Sequence, residues 1–185
     1  KLYVNREEGF IGTSLRRDEY VCDCSDIDDI IVFTKDGKMM VTKVDSKTFI
    51  GKNIIHVAVF KKKDNRTIYN LIYRDGSRGP TYIKRFAVTS TTRDREYDLT
   101  KGTPGSNTYW FTVNPNGESE KVIVHLRAVA GLRKLELPID FSEMEVKARG
   151  AVGNIVTKYT VNKVTLKEKG SSTLEGEDYW FDEKT

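Results

Sequence analysis

Apolar positions along the chain fall in short runs separated by polar turns. Ile30-Ile31-Val32-Phe33-Thr34 is rich in β-branched and aromatic residues, Asp36-Gly37 is a hairpin turn signal, and Met39-Met40-Val41-Thr42 returns the chain, so 30–43 predicts a β-hairpin. The pattern recurs. Asn70-Leu71-Ile72-Tyr73 leads to Asp75-Gly76, and Tyr82-Ile83-Lys84-Arg85-Phe86 comes back carrying two cations. Asn116-Gly117 is a third turn, placed before a strand over 121–126, and Leu2-Tyr3-Val4 followed by Glu8-Gly9-Phe10-Ile11 is a reduced copy.

Between these hairpins a second element repeats. Gly51 with Asn53, Gly105 with Asn107 and Gly153 with Asn154 precede strand-like runs at 57–60, 109–113 and 161–166, and these glycines lie roughly 50 residues apart. That is the period of a four-stranded blade, so the chain is expected to be all-β. Alternating leucines over 132–137 predict a further strand with one buried face. Over 141–147 one helical turn at most is expected, with Ser142 as a candidate cap. Asp178-Tyr179-Trp180-Phe181 predicts a last strand, which either docks back to close the array or starts a further blade.

A length of 185 residues is compatible with one domain over 1–185, here expected to be a fragment of a longer chain. Charged residues at 31% and hydrophobic ones at 38% suit a globular chain, and no apolar run reaches the length of a membrane span. Cys22 and Cys24 are too close along a strand for an unstrained disulfide, which fits a reducing cytoplasm. With no second cysteine pair and with His56 and His125 isolated, no metal site is expected.

Net charge is +4, divided as −4 from Leu174 onward and +8 over the rest. A basic body beside an acidic end suits a domain that holds a polyanion and tempers that hold; a mixed solvated surface with a solvated end is the plainer alternative. The basic run Lys61-Lys62-Lys63 reads equally as a solvated hairpin tip. Lys84 and Arg85 are adjacent on a strand and must point to opposite faces, so one of them faces outward or finds a partner. No phosphate loop, serine elbow or histidine-rich metal motif is present, and Lys158-Tyr159-Thr160 reads as an ordinary strand tyrosine. Tyr109, Trp110 and Trp180 are expected in the core rather than stacked on bases.

At Tyr82-Ile83-Lys84-Arg85-Phe86, and again at Lys147-Ala148-Arg149-Gly150-Ala151-Val152-Gly153-Asn154, the chain resembles the C-terminal β-pinwheel of the A subunit of bacterial type IIA topoisomerases. In that family an apolar strand and a glycine turn precede a strand bearing Lys-Arg, and an arginine-and-glycine segment leads to the next strand. The resemblance implies a propeller-like pinwheel of three to four four-stranded blades, closed or open, whose basic rim bends and holds double-stranded DNA. The parent would pass strands using ATP and Mg bound elsewhere, partnered by the ATPase B subunit, in the cytoplasm at the nucleoid; this domain itself would be non-catalytic and hold no cofactor. The Gln-Arg-Gly box of gyrase is missing, which brings the chain closer to topoisomerase IV.

The residues expected along the DNA path are Lys47, Lys52, Arg78, Lys84, Arg85, Arg93, Arg95, Arg133, Lys134, Lys147, Arg149 and Lys158, some of them paired instead with acids such as Asp94 and Glu96. Their lysines and arginines would neutralise phosphates along a curve, offsetting a bending cost on the order of 1–6 kcal/mol for 20–30 base pairs. Reversing Lys84, Arg85 and Arg149 to glutamate is expected to weaken duplex binding and leave the fold intact. The rival reading is a propeller-like protein-interaction module, which an exposed apolar patch would favour.

Overall fold

The computed structural model describes residues 1–170, and the expected strand at 178–181, Trp180 and the acidic end 174–185 lie outside them. Sixteen strands and one 3-10 turn make up the regular structure of the described residues. In chain order the strands are β1 (Leu2–Asn5), β2 (Phe10–Gly12), β3 (Glu19–Cys22), β4 (Asp29–Thr34), β5 (Lys38–Lys43), β6 (Thr48–Phe49), β7 (Ile54–Phe60) and β8 (Ile68–Arg74). They continue with β9 (Thr81–Ala87), β10 (Glu96–Asp98), β11 (Asn107–Asn114), β12 (Lys121–Leu126), β13 (Glu136–Asp140), β14 (Val146–Ala148), β15 (Asn154–Thr157) and β16 (Val161–Glu168). The expected all-β class holds, and the sixteen strands form four separate sheets.

Two compact units divide these sheets: Lys1–Lys63 with Ser90–Thr100, and Asp64–Thr89 with the chain from Lys101 onward. In the first unit the sheets run β3-β1-β2-β6 and β10-β5-β4-β7. Strand exchange ties them together, because the chain leaves β5, adds β6 to the edge of β2, and returns as β7 beside β4. The 30–43 hairpin is as expected: β4 pairs antiparallel with β5, and the amide of Gly37, at φ 85°, donates to the Thr34 carbonyl to close the turn. Glycine suits that left-handed position, where a Cβ is strained. Leu2, Val4, Ile11, Ile30, Val32, Ile50, Ile54 and Val57 from both sheets form one core, with Cys22 and Cys24 packed at its margin.

The second unit holds a five-stranded sheet, β11-β8-β9-β14 with β15 also on β9, and a three-stranded sheet, β13-β12-β16. Its core joins Ile72 and Ile83 to Val122, Val124, Leu126, Phe141 and Val161, with Tyr109 and Trp110 packed against it as expected. Asn116-Gly117 turns the chain without forming a hairpin, because β11 pairs with β8 while β12 pairs with β13 and β16. The alternating leucines also mislead: Leu132 and Leu135 lie in the connection before β13, where the Leu132 amide closes a turn on Val129. The single helical turn is Phe141–Glu143, capped by the Asp140 carboxylate rather than by Ser142.

Candidate nucleic-acid interface

Strand β9 organises the charged chemistry of the second unit. Its residues alternate between two faces that are both covered, so its two cations are both buried, each about 2% exposed. On one face Arg85 lies opposite Asn70 of β8; its Nε donates to Asn70 Oδ1 at 3.0 Å and Nη2 donates to the Gly117 carbonyl at 2.7 Å. Asn70 in turn donates to Glu120 Oε1 at 2.9 Å, which also accepts from Trp110 Nε1 and Thr112 Oγ1. Burial lowers the Arg85 pKa, opposed by Glu120 and Glu118, and a guanidinium stays charged regardless.

On the other face Lys84 lies between Tyr82 and Phe86, its Nζ 4.8 Å from the Phe86 ring centroid. That Nζ donates to the carbonyls of Arg149 at 2.6 Å and Ala151 at 2.8 Å. Burial first, and Arg149 second, pull the Lys84 pKa down to about 7. Tyr73, stacked on Tyr82 with centroids 5.4 Å apart, donates from Oη to the Val152 carbonyl at 2.6 Å. Gly153, at φ 96°, closes the loop: a Cβ there would run into the carbonyl of Ile83. Loop 149–153 is therefore held against β9 at the point where edge pairing changes from parallel (β14) to antiparallel (β15).

This placement corrects the expectation for Lys84 and Arg85. Neither presents charge to solvent, because both faces of β9 are covered and both side chains are used to hold backbone carbonyls. Reversing them to glutamate would bury carboxylates against those carbonyls, so the fold would not survive the change.

Other expected cations are at the surface. In the first unit Lys47 is exposed with its Nζ 4.6 Å from the Phe10 ring centroid, and Lys52 is exposed. Arg93 is exposed but paired with Asp29 at 2.9 Å, and Arg95 lies 5.2 Å from the Tyr97 ring centroid. The acids expected as their partners are engaged elsewhere: Asp94 accepts from Thr42 Oγ1 at 2.7 Å, and Glu96 pairs with Lys38 at 3.0 Å.

In the second unit Arg78, Arg133, Lys134, Lys147 and Lys158 are exposed and Arg149 is half-buried. Lys147 sits on β14 and Arg149 on the pinned loop, while Lys158 directly follows β15. Arg133 and Lys134 belong to the connection 127–135, whose base is tied to the Lys158 turn by the Arg127 amide donating to the Thr160 carbonyl at 2.9 Å. Topology thus brings Arg133, Lys134 and Lys158 to one end of the β12–β16 pair.

One signal escapes a reading of the residues singly. From 146 to 167 the chain has five cations (Lys147, Arg149, Lys158, Lys163 and Lys167) and no Asp or Glu. The two lysines that β16 adds are both exposed. Against this, Val152, Ile155, Tyr159 and Leu166 are exposed large hydrophobics on the same stretch. No helix of the described residues is long and apolar enough to cross a membrane.

An all-β chain of blade-like sheets, with a basic, acid-poor stretch on its outer strands, is the class that fold and surface define. The family described as topoisomerase C-terminal domain, Bacteroidota, matches residues 1–169, and the chain belongs to that family. It is also 26% identical over 170 residues to the A subunit of DNA topoisomerase 4 from Borreliella burgdorferi, covering 90% of this chain and 25% of that protein. The chain thus spans about a quarter of the relative's length. A solved structure described as the C-terminal domain of DNA topoisomerase IV is 12% identical, with a TM-score of 0.49, over 90% of this chain and 61% of that one. The resemblance seen at 82–86 and 147–154 is borne out at the level of the family.

Proposed function

We propose that this chain is the DNA-holding and DNA-bending domain of a type IIA topoisomerase A subunit, positioning duplex DNA for ATP-dependent strand passage by the parent enzyme with its ATPase B subunit. The observation that carries this reading is the acid-free stretch 146–167, whose cations sit on edge strands and turns of the second unit. Charges of one sign along outer strands release counterions from phosphates without reading bases. Arg133, Lys134, Lys147, Arg149 and Lys158 form the core of the interface. Arg78, of the same unit, extends it; the first unit by itself presents Lys47, Lys52 and Arg95 to DNA, and its Arg93 is held back by Asp29.

A second reading has its own support. Exposed apolar side chains such as Ile155, at 54%, and Tyr159, at 53%, lie among the same cations, as a protein-binding surface would place them.

Titrating a mixed-sequence duplex against the chain across salt separates the two. A DNA-holding surface is expected to bind at low salt, to lose affinity steeply as salt rises, with a log–log slope of about −0.9 per neutralised phosphate, and to ignore sequence. Converting Lys147, Arg149 and Lys158 together to alanine is expected to flatten that slope by about 3 × 0.9. Absence of duplex binding at low salt would favour the protein-binding reading.

A further inference from the structure

Lys84 is an unusual residue to bury. Its face of β9 is lined by aromatic rings, and its ammonium hydrogen-bonds twice to the backbone of a single loop, at Arg149 and Ala151. Tyr73, on the same face, donates to Val152 in that loop, and Gly153 permits its close return to β9. Three loop carbonyls, those of Arg149, Ala151 and Val152, are thus held by two side chains from one sheet face. The residue that opens this loop is Arg149, half-buried, between the exposed cations Lys147 and Lys158.

We infer that Lys84 is a positioning residue, which fixes loop 149–153 on the edge of β9 so that Arg149 meets a phosphate of duplex DNA in register with Lys147 and Lys158. This rests on the DNA-holding reading above. Lysine suits the task because its ammonium or amine has enough donors to satisfy two carbonyls at once, on a stem long enough to rise from the sheet. Pre-arranging the loop removes the cost of ordering it from the binding step.

The test uses two readouts on the whole chain. Lys84→Met keeps approximate volume and removes both donated bonds; Tyr73→Phe removes one bond and is the variant to use if Lys84→Met does not fold. The first readout needs no DNA: the rate of trypsin cleavage at Arg149–Gly150 relative to Lys158–Tyr159 in the same molecule. That ratio is expected to rise about twenty-fivefold in Lys84→Met and about fivefold in Tyr73→Phe, the factors for two and one net hydrogen bonds. An unchanged ratio overturns the inference.

The second readout is the salt slope for a mixed-sequence duplex. Arg149→Ala is expected to flatten it by about 0.9, Lys84→Met by a similar amount, and the double variant by no more than either alone. Lys158→Ala is expected to add to each. A purely structural role for Lys84 would leave the Arg149 effect intact, and additivity of Lys84→Met with Arg149→Ala overturns the inference. Should the unsubstituted chain fail to bind duplex at all, the functional reading falls and takes the phosphate role of Arg149 with it. The cleavage ratio still decides in that case whether Lys84 holds the loop.

Discussion

At the residue scale, Lys84 and Arg85 show how one sheet with two covered faces redirects charge. Neighbours on a strand alternate sides, and here each side offers carbonyls in place of water. Arg85 joins β9 to the turn at Gly117 and, through Asn70, to the Glu120 carboxylate shared with Trp110 and Thr112. Removing one member of such a network leaves the others buried with lost partners. Arg85→Ala is therefore expected to lower stability by about 3–5 kcal/mol, read as a shift in the urea midpoint, whereas Lys158→Ala at the surface should stay within about 0.5 kcal/mol. A stability loss for Arg85→Ala no larger than that of Lys158→Ala would show that the guanidinium is dispensable to the fold.

At the element scale, the 30–43 hairpin was legible because its signals agree: β-branched runs, an Asp-Gly turn, and a register that sets Val32 against Met40 and Phe33 against Met39. β4 is paired on both edges, by β5 and β7, and apart from Asp29 it is buried along its length. Ile30→Ala in this strand should cost about 2–5 kcal/mol through lost burial and a residual cavity, seen in denaturant unfolding. Other elements were legible only in part. Leucine alternation at 132–137 predicted a strand that begins only at Glu136, because the chain around Leu132 is spent on a turn closed on Val129 and reaches β12 only at Leu135, whose carbonyl accepts from the Leu126 amide. Asn116-Gly117 has hairpin composition but joins different sheets, and turn residues report a change of direction without reporting which strands then pair.

At the scale of the whole molecule, each unit carries a buried base whose titration shapes stability. In the first, burial pulls the His56 pKa from 6.5 to about 4; in the second, Lys84 falls from 10.5 to about 7. For a base held below its unfolded value the unfolded chain binds more protons between the two pKa values, so stability rises with pH across that window. Two rising limbs are expected in the unfolding free energy, from about pH 4 to 6.5 and from about 7 to 10, the upper one ending where tyrosines begin to titrate in the unfolded chain. Lys84→Met should abolish the upper limb and leave the lower. A flat response from pH 7 to 10 in the unsubstituted chain would contradict the desolvated lysine.

Local order along the chain determined most strands and the glycine-dependent turns, since each depends on residues within a few positions of one another, and the recurrence of those local signals along the chain carried the blade-like repeat and the family likeness. It also held, unread, the acid-free stretch 146–167. Tertiary structure alone decided which cations reach the surface. Whether Lys84 meets water or the Arg149 and Ala151 carbonyls depends on loop 149–153, some 65 residues away, folding onto its strand. Arg85 likewise depends on a turn 32 residues distant. A strand pattern states that two neighbours point to opposite faces; what covers each face is set by long-range packing, and that packing turned two expected phosphate ligands into internal struts.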